Sequence, residues 1–330
     1  MRQLNVLYVP HPTANLAVPW GDDLVRAVGQ HHNLRIFDPH QPAEPQFEGI
    51  EAVVDLGGNI NADLVGIAAG AGVKFVQAQT NGLDHVEVNK ILGTGMMLAH
   101  CPGELSSVAL AESAMMFMLV FAAQYNEGRE NFDQGKCYLP TGIALEGRTL
   151  GIIGLGASGV ELARRAKSFA MKIMAIDVRP IDQEILDDIQ PEFLGGSNDL
   201  DQVVAQCDFL SLHLHLTPKT RHIIDAHRIG LMKSTSCLIN VARGDLVDEQ
   251  ALYQALVDGS IGGAGLDAFA REPPDQTLPV YQLPNVYVTP HTGGSSDGTS
   301  QKRAQFAVDN LDRYARGEQL QARVTAPLGT

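Results

Sequence analysis

Cysteine is scarce and unpatterned in this chain of 330 residues. The four, Cys101, Cys137, Cys207 and Cys237, include no C-x-x-C spacing. That excludes a disulfide framework or a zinc site of the usual spacing, and it predicts a reducing, cytoplasmic setting. Runs of Lys or Arg are missing and the formal net charge is −14, so no nucleic-acid partner is expected. No apolar run is long enough for a bilayer span. The longest, 108–123, carries Glu112 and Ser113 and predicts a buried helix, so no membrane role is expected. The opening MRQLNVLYVP has an apolar run too short for a signal-peptide core. Internal repeats and low-complexity tracts are also lacking.

What remains is the composition of a folded chain, 45% hydrophobic and 19% charged, with length for two domains of ordinary size. Strands are predicted at 4–9, 51–56 and 74–78, with helical patterns at 22–29 and 62–69 between them. Such alternation predicts an α/β fold with a parallel, doubly wound sheet. Cys101-Pro102-Gly103 breaks the chain, and a long apolar helix is predicted from about 106 to 125. A polar connector, 126–147, leads to a second α/β unit. Its strands are expected at 149–154, 172–177, 208–213, 237–241, 263–268 and 286–289. Its helices are expected at 158–169, 199–205, 225–231, 248–257 and 299–316.

The second unit opens on Thr149-Leu-Gly-Ile-Ile-Gly-Leu-Gly-Ala-Ser-Gly, which places G-x-G-x-x-G at Gly154, Gly156 and Gly159 after a β-run and before a helix pattern. The first glycine permits a tight turn, the second lets a pyrophosphate approach the backbone, and the third lets helix and strand close. The helix N-terminus, with Ala157 and Ser158, offers free N–H groups to the anion. Alone the motif also fits methyltransferases and chance loops. Asp177, eighteen residues after Gly159, adds a carboxylate that can take both ribose hydroxyls and repel a 2′-phosphate, which favours NAD. It could equally cap a turn or a helix, and Arg179 could partly accommodate such a phosphate.

Arg243 in INVARGDLVDE, Glu272 in FAREPP and His291 in VTPHTGG each follow a short apolar run and precede Gly or Pro. Taken singly they read as a surface arginine, a loop carboxylate and a loop histidine. Together they stand at successive predicted strand ends of one sheet, where ligands of such sheets bind. A guanidinium can grip a carboxylate and polarise an adjacent carbonyl. A carboxylate beside an imidazole stabilises its protonated form, and the imidazole can then exchange a proton with the carbonyl oxygen. His213 and His215 are expected to alternate along a strand and share a face, but no third ligand is near and no metal is expected. Ser106, Ser107 and Cys101 lack a His/Asp arrangement for nucleophilic catalysis. Met115, Met116 and Met118 read as helix core or an oligomer contact.

With VALAESAMMFML, LEGRTLGIIGLGASG, LTPKTRHII, INVARGDLVDEQAL, GAGLDAFAREPP and NVYVTPHTGG in order, the chain resembles the D-isomer-specific 2-hydroxyacid dehydrogenases. The resemblance implies a Rossmann cofactor domain at 102–292 inserted in a flavodoxin-like substrate domain at 1–101 and 293–330, in a homodimer. It implies that Arg243 binds the substrate carboxylate and carbonyl, that His291 is the acid/base and that Glu272 pairs with it. NAD is the implied cofactor. Asp267 would lie near the nicotinamide carboxamide, with His215, Thr220, Val241, Ala242 and Gly293 also lining the cofactor. The substrate would meet backbone amides at Gly57, Gly58 and Asn59 and at Asn81 and Gly82. Asp55 and Ala78 stand where members acting on phosphorylated glycerate carry basic residues. The expectation is an NAD-dependent enzyme acting on a 2-hydroxy or 2-oxo acid. A dinucleotide-sensing co-repressor scaffold on the same fold is the alternative, and a methyltransferase leaves the trio unexplained.

Overall fold

The computed structural model describes residues 2–11 and 20–327. The chain divides into two units, one comprising Met1–Leu105 and Ser296–Thr330 and the other Ser106–Ser295. Both crossings fall a few residues after the expected ones. Unit 1 begins with β1 (Asn5–Val9), α1 (Trp20–His31), β2 (Asn33–Ile36), α2 (Glu44–Phe47), β3 (Ala52–Asp55), α3 (Ala62–Gly70), β4 (Phe75–Ala78), α4 (Val88–Gly93) and β5 (Met97–His100). Unit 2 runs through α5 (Ser107–Ala123), α6 (Tyr125–Asp133), β6 (Thr149–Ile153), α7 (Ala157–Ser168), β7 (Lys172–Ile176), α8 (Gln183–Ile189), β8 (Phe193–Gly195) and α9 (Leu200–Gln206). It continues with β9 (Phe209–Leu212), α10 (Ala226–Leu231), β10 (Cys237–Asn240), α11 (Glu249–Val257), β11 (Gly263–Leu266) and β12 (Val286–Val288). Unit 1 is completed by α12 (Thr299–Arg316) and β13 (Arg323–Val324).

Unit 1 holds one sheet in the order β13-β5-β4-β3-β1-β2. Its first five strands are parallel in the flavodoxin-like order. The sheet is not wholly parallel, because β13 runs antiparallel to β5 and pairs Arg323 with Ala99. Every residue of β3 and of β4 is buried. Both faces are therefore covered, which is why these strands read as continuous apolar runs rather than alternating ones.

Unit 2 has a seven-stranded sheet in the order β12-β11-β10-β9-β6-β7-β8, every neighbouring pair parallel. The order reverses between β6 and β9. Crevices at such switch points are where dinucleotides bind.

The apolar helix α5 buries Ala111, Ala114, Phe117 and Met118 in unit 2. Glycines in β11 make room for it: a Cβ on Gly265 would stand 2.6 Å from the Phe117 ring, and one on Gly263 would stand 2.5 Å from the Phe121 ring. Burial of Phe117 contributes roughly 2–3 kcal/mol. The helix stops at Gln124, whose left-handed backbone (φ 50°) turns the chain into α6, where the sequence predicts a polar connector. No single helix among the described residues is long and apolar enough to cross a membrane.

Candidate active site

Three strand ends of unit 2 carry the trio. Arg243 follows β10, in a turn closed by the Asn240 side chain, which donates to the Arg243 carbonyl at 2.8 Å and accepts from the Ala242 amide at 3.1 Å. Gly244 comes next for a steric reason. A Cβ there would stand 1.9 Å from the Phe269 carbonyl carbon and 2.1 Å from the Ala270 nitrogen. Only a glycine lets the Arg243 turn press on the loop that leads to Glu272.

The Glu272 carboxylate joins that loop to the next. Its Oε1 accepts the Phe269 amide at 3.2 Å, and its Oε2 lies 2.7 Å from His291 Nδ1. Burial pushes the Glu272 carboxyl upward. The hydrogen bond and charge of His291, the Phe269 amide and the nearby charge of Arg243 outweigh it, so the net shift is downward and Glu272 is a carboxylate at neutral pH. His291 itself has a left-handed backbone (φ 54°) and a side chain 43% exposed.

Asp267, fully buried at the end of β11, sets the His291 loop. It accepts the Thr289 hydroxyl at 2.7 Å and the Thr292 and Gly293 amides at 2.8 Å each. A Cβ on Gly293 would collide with the same carboxylate at 2.5 Å. Both Asp267 oxygens are therefore engaged within the loop, and its evident task is to hold His291 in place.

The glycine loop has the shape of a phosphate cradle. Gly154 is left-handed (φ 101°), a Cβ on Gly159 would stand 2.1 Å from the Gly154 carbonyl oxygen, and Gly156 faces open space with only Arg179 at 3.9 Å. Ala157 and Ser158 begin α7, whose first amides lack helical partners and suit an anion. Asp177 accepts the Leu155 amide at 2.9 Å, which places its carboxylate beside the loop. The same carboxylate is gripped by Arg179, through the backbone amide at 2.9 Å, Nε at 3.1 Å and Nη2 at 2.9 Å. Burial raises the Asp177 pKa, but Arg179 overrides it and holds the group below its ordinary value. These residues fit the adenosine ribose and pyrophosphate of a dinucleotide.

Other expected residues fall less directly. Thr220 donates to the His215 carbonyl at 2.7 Å and accepts the Thr217 amide at 2.8 Å, closing the turn between them. Val241 is buried and Ala242 half-buried beyond β10. His213 and His215 do not share a strand face, because β9 ends at Leu212 and both lie past it. The His213 ring sits between two serine hydroxyls instead, Ser158 and Ser211, at 2.9 Å each.

In unit 1, Gly57 (φ 91°) and Gly58 (φ 77°) need glycine, since Cβ atoms there would press on His11 at 3.1 Å and His85 at 2.5 Å. Of the three loop amides, that of Asn59 already donates to Asp55 Oδ1 at 2.8 Å. At the second loop, the Thr80 hydroxyl donates to the Gly82 carbonyl at 2.8 Å, which fixes Asn81 between them. Asp55 was not singled out by the sequence as a functional group, and it is fully buried with Oδ2 lacking a partner among the described residues. Burial raises its pKa from 3.8 to about 6, against the opposing amides of Asn59, Ile60 and Gly58 and the His85 charge.

A carboxyl with a raised folded-state pKa costs stability as pH climbs from about 4 through about 6, because the buried group must ionise. Two pKa units set an upper bound of about 3 kcal/mol. Asp55→Asn keeps the acceptor for the Asn59 amide. It is expected to be more stable than the parent by up to about 2 kcal/mol at pH 8 and to converge with it near pH 3. Urea melts at the two pH values measure this, and an equal difference at both would refute it.

A dinucleotide cradle at a sheet switch point, beside an arginine and a carboxylate–imidazole pair, defines a nicotinamide-dependent oxidoreductase of the doubly wound class. The NAD-binding-domain model of the D-isomer-specific 2-hydroxyacid dehydrogenases matches residues 115–293, and the chain belongs to that family. The D-3-phosphoglycerate dehydrogenase of Methanocaldococcus jannaschii is 36% identical over 74% of this chain but is covered over only 46% of its own length. The glyoxylate/hydroxypyruvate reductase B of Yersinia pestis is 32% identical over 94% of both chains. Among solved structures, D-lactate dehydrogenase of Aquifex aeolicus, complexed with NAD and lactic acid, superposes with a TM-score of 0.83 at 25% identity. The superposition covers 98% of this chain and all of that one.

Proposed function

We propose that the protein is an NADH-linked reductase of short 2-oxo acids of the glyoxylate and hydroxypyruvate type. The observation that carries this reading is the 2.7 Å pairing of His291 with a charged Glu272, one strand end from Arg243. NADH, when bound, supplies the hydride to the carbonyl carbon. Arg243 holds the substrate carboxylate and polarises the carbonyl, His291 delivers a proton to the carbonyl oxygen, and Glu272 stabilises the imidazolium before transfer. In unit 1 this reading assigns substrate-loop roles to Gly57, Gly58 and Asn59 and to Asn81 and Gly82. The near-complete coverage of a glyoxylate/hydroxypyruvate reductase supports the substrate class.

The test is a panel of 2-oxo acids with NADH and NADPH in parallel, following loss of nicotinamide absorbance. Turnover of glyoxylate or hydroxypyruvate with NADH is the expected result. Tight NADH binding without oxidation by any member would favour a dinucleotide-sensing scaffold.

Asp177 and Arg179 set the cofactor preference in this reading. Asp177→Ser removes the ribose acceptor and frees Arg179 for a 2′-phosphate. NADH kcat/KM should fall roughly 10–100-fold while NADPH kcat/KM rises, since each charge-assisted hydrogen bond is worth about 1.5–3 kcal/mol. A parallel fall with both cofactors would count against these roles.

The chain is further proposed to be cytoplasmic and homodimeric. All four cysteines are free. Val108, Met116, Leu119, Phe132, Tyr138 and Leu139 leave an exposed apolar series along α5, α6 and the segment after them, suited to a second copy. Light scattering at micromolar concentration should return twice the chain mass.

A further inference from the structure

One hydrogen bond of His213 crosses the switch point of the unit 2 sheet. Ser158 lies in the first turn of α7, after β6, whereas His213 follows β9, on the other side of the reversal. Ser158 Oγ and His213 Nδ1 are 2.9 Å apart, and His213 Nε2 is 2.9 Å from Ser211 Oγ. The His213 backbone also abuts the cradle, because a Cβ on Gly154 would stand 2.5 Å from the His213 carbonyl oxygen. Burial drives the imidazole pKa down to about 4, so the ring is neutral at physiological pH.

A neutral imidazole donates from one nitrogen and accepts at the other. Ser211 decides which. It is fully buried on β9, and its hydroxyl has no other partner among the described residues. Were it to accept from Nε2–H, its own proton would be buried unpaired, which is disfavoured. Ser211 therefore donates to Nε2, the ring proton sits on Nδ1, and Nδ1–H donates to Ser158 Oγ. The Ser158 proton is left to point outward from a half-buried position beside the free amides of α7.

We propose that His213 is a positioning residue that holds the Ser158 hydroxyl as a donor to the dinucleotide pyrophosphate. The proposal rests on NAD binding at the cradle, not on the choice of oxo acid. NADH titration by nicotinamide fluorescence, without oxo acid, tests it independently of turnover. Ser158→Ala is expected to weaken NADH about tenfold, and to weaken ADP-ribose, measured by competition, by the same factor. His213→Gln, which can reach only toward Ser211, should lose as much. His213→Asn keeps a donor where Nδ1 stands and should bind within about threefold of the parent. The double variant Ser158→Ala/His213→Gln should bind no more weakly than either single one.

Parental affinity in Ser158→Ala overturns the proposal. So does an equal loss in His213→Asn and His213→Gln, which would mark a packing role, or additive losses in the double variant. Thermal melts accompany each titration. Ser158→Ala, which removes one oxygen from a half-exposed helical position, carries the test if a His213 variant unfolds. Failure of the oxo-acid panel with these affinities intact would sink the proposed substrate class alone.

Discussion

Glutamine at position 291 is expected to lower kcat for 2-oxo acid reduction by about 10³-fold while leaving NADH affinity unchanged. Removing a positioned general acid costs about 10²–10⁴-fold. His291 is placed for that role by two neighbours: Glu272 Oε2 at 2.7 Å from its Nδ1, and the Asp267-clamped loop that gives it a left-handed backbone. Glu272→Gln should act through the same atom more gently. Its carboxylate favours the imidazolium, so its loss makes that form harder to keep. kcat for reduction should fall, by less than in His291→Gln, with NADH affinity unchanged. The pair is about two-fifths exposed, so solvent screening keeps this loss well below that of His291→Gln. Because the folded-state pKa of Glu272 is depressed, its contribution holds above the ordinary carboxylate range and is lost only as pH falls through the lowered value. Unchanged kcat in His291→Gln, or in Glu272→Gln, would contradict the assignment.

Much of this arrangement was legible as sequence because its determinants are local. Buried parallel strands such as β3 and β4 read as unbroken apolar runs, and Gly154 and Gly159 announce a turn that only glycine makes. What escaped is what depends on contact through space or on thin local signals. β2 (NLRI) is largely exposed at a sheet edge, β8 has three residues and β13 two, too few for a periodicity to register. The break between α5 and α6 occurs at Gln124, with neither Gly nor Pro to mark it. Strand alternation put His213 and His215 on one face, but β9 ends at Leu212, before either, and His213 turns to Ser158, 55 residues away. The close approach of Gly244 to Phe269 ties two predicted site loops together, yet it leaves no pattern in either segment. Asp55 shows a carboxylate whose character is set by desolvation, which no residue type or spacing records.

Arg243→Ala should cost about 10³-fold in kcat/KM for a 2-oxo acid, a loss of the same order as in His291→Gln. The guanidinium is assigned two tasks, and each predicts a different kinetic signature. Gripping the carboxylate stabilises ground and transition states alike, and its loss raises KM. Polarising the carbonyl acts on charge that develops during hydride arrival, and its loss lowers kcat, by the 10²–10³ typical of one transition-state donor. Both terms should appear in Arg243→Ala. Arg243→Lys keeps the charge but not the planar two-pronged donor, so it should recover part of kcat and little of KM. Glu272 gives an internal control, because the Arg243 charge helps hold its carboxyl low, alongside the stronger His291 bond. The Glu272–His291 pairing should therefore survive in Arg243→Ala, so that the loss there reports on the arginine itself. A rise in KM with kcat unchanged would leave the arginine a carboxylate anchor only. Parental kcat/KM would remove it from the site, and with it the reading in which three consecutive strand ends of one sheet share a single substrate.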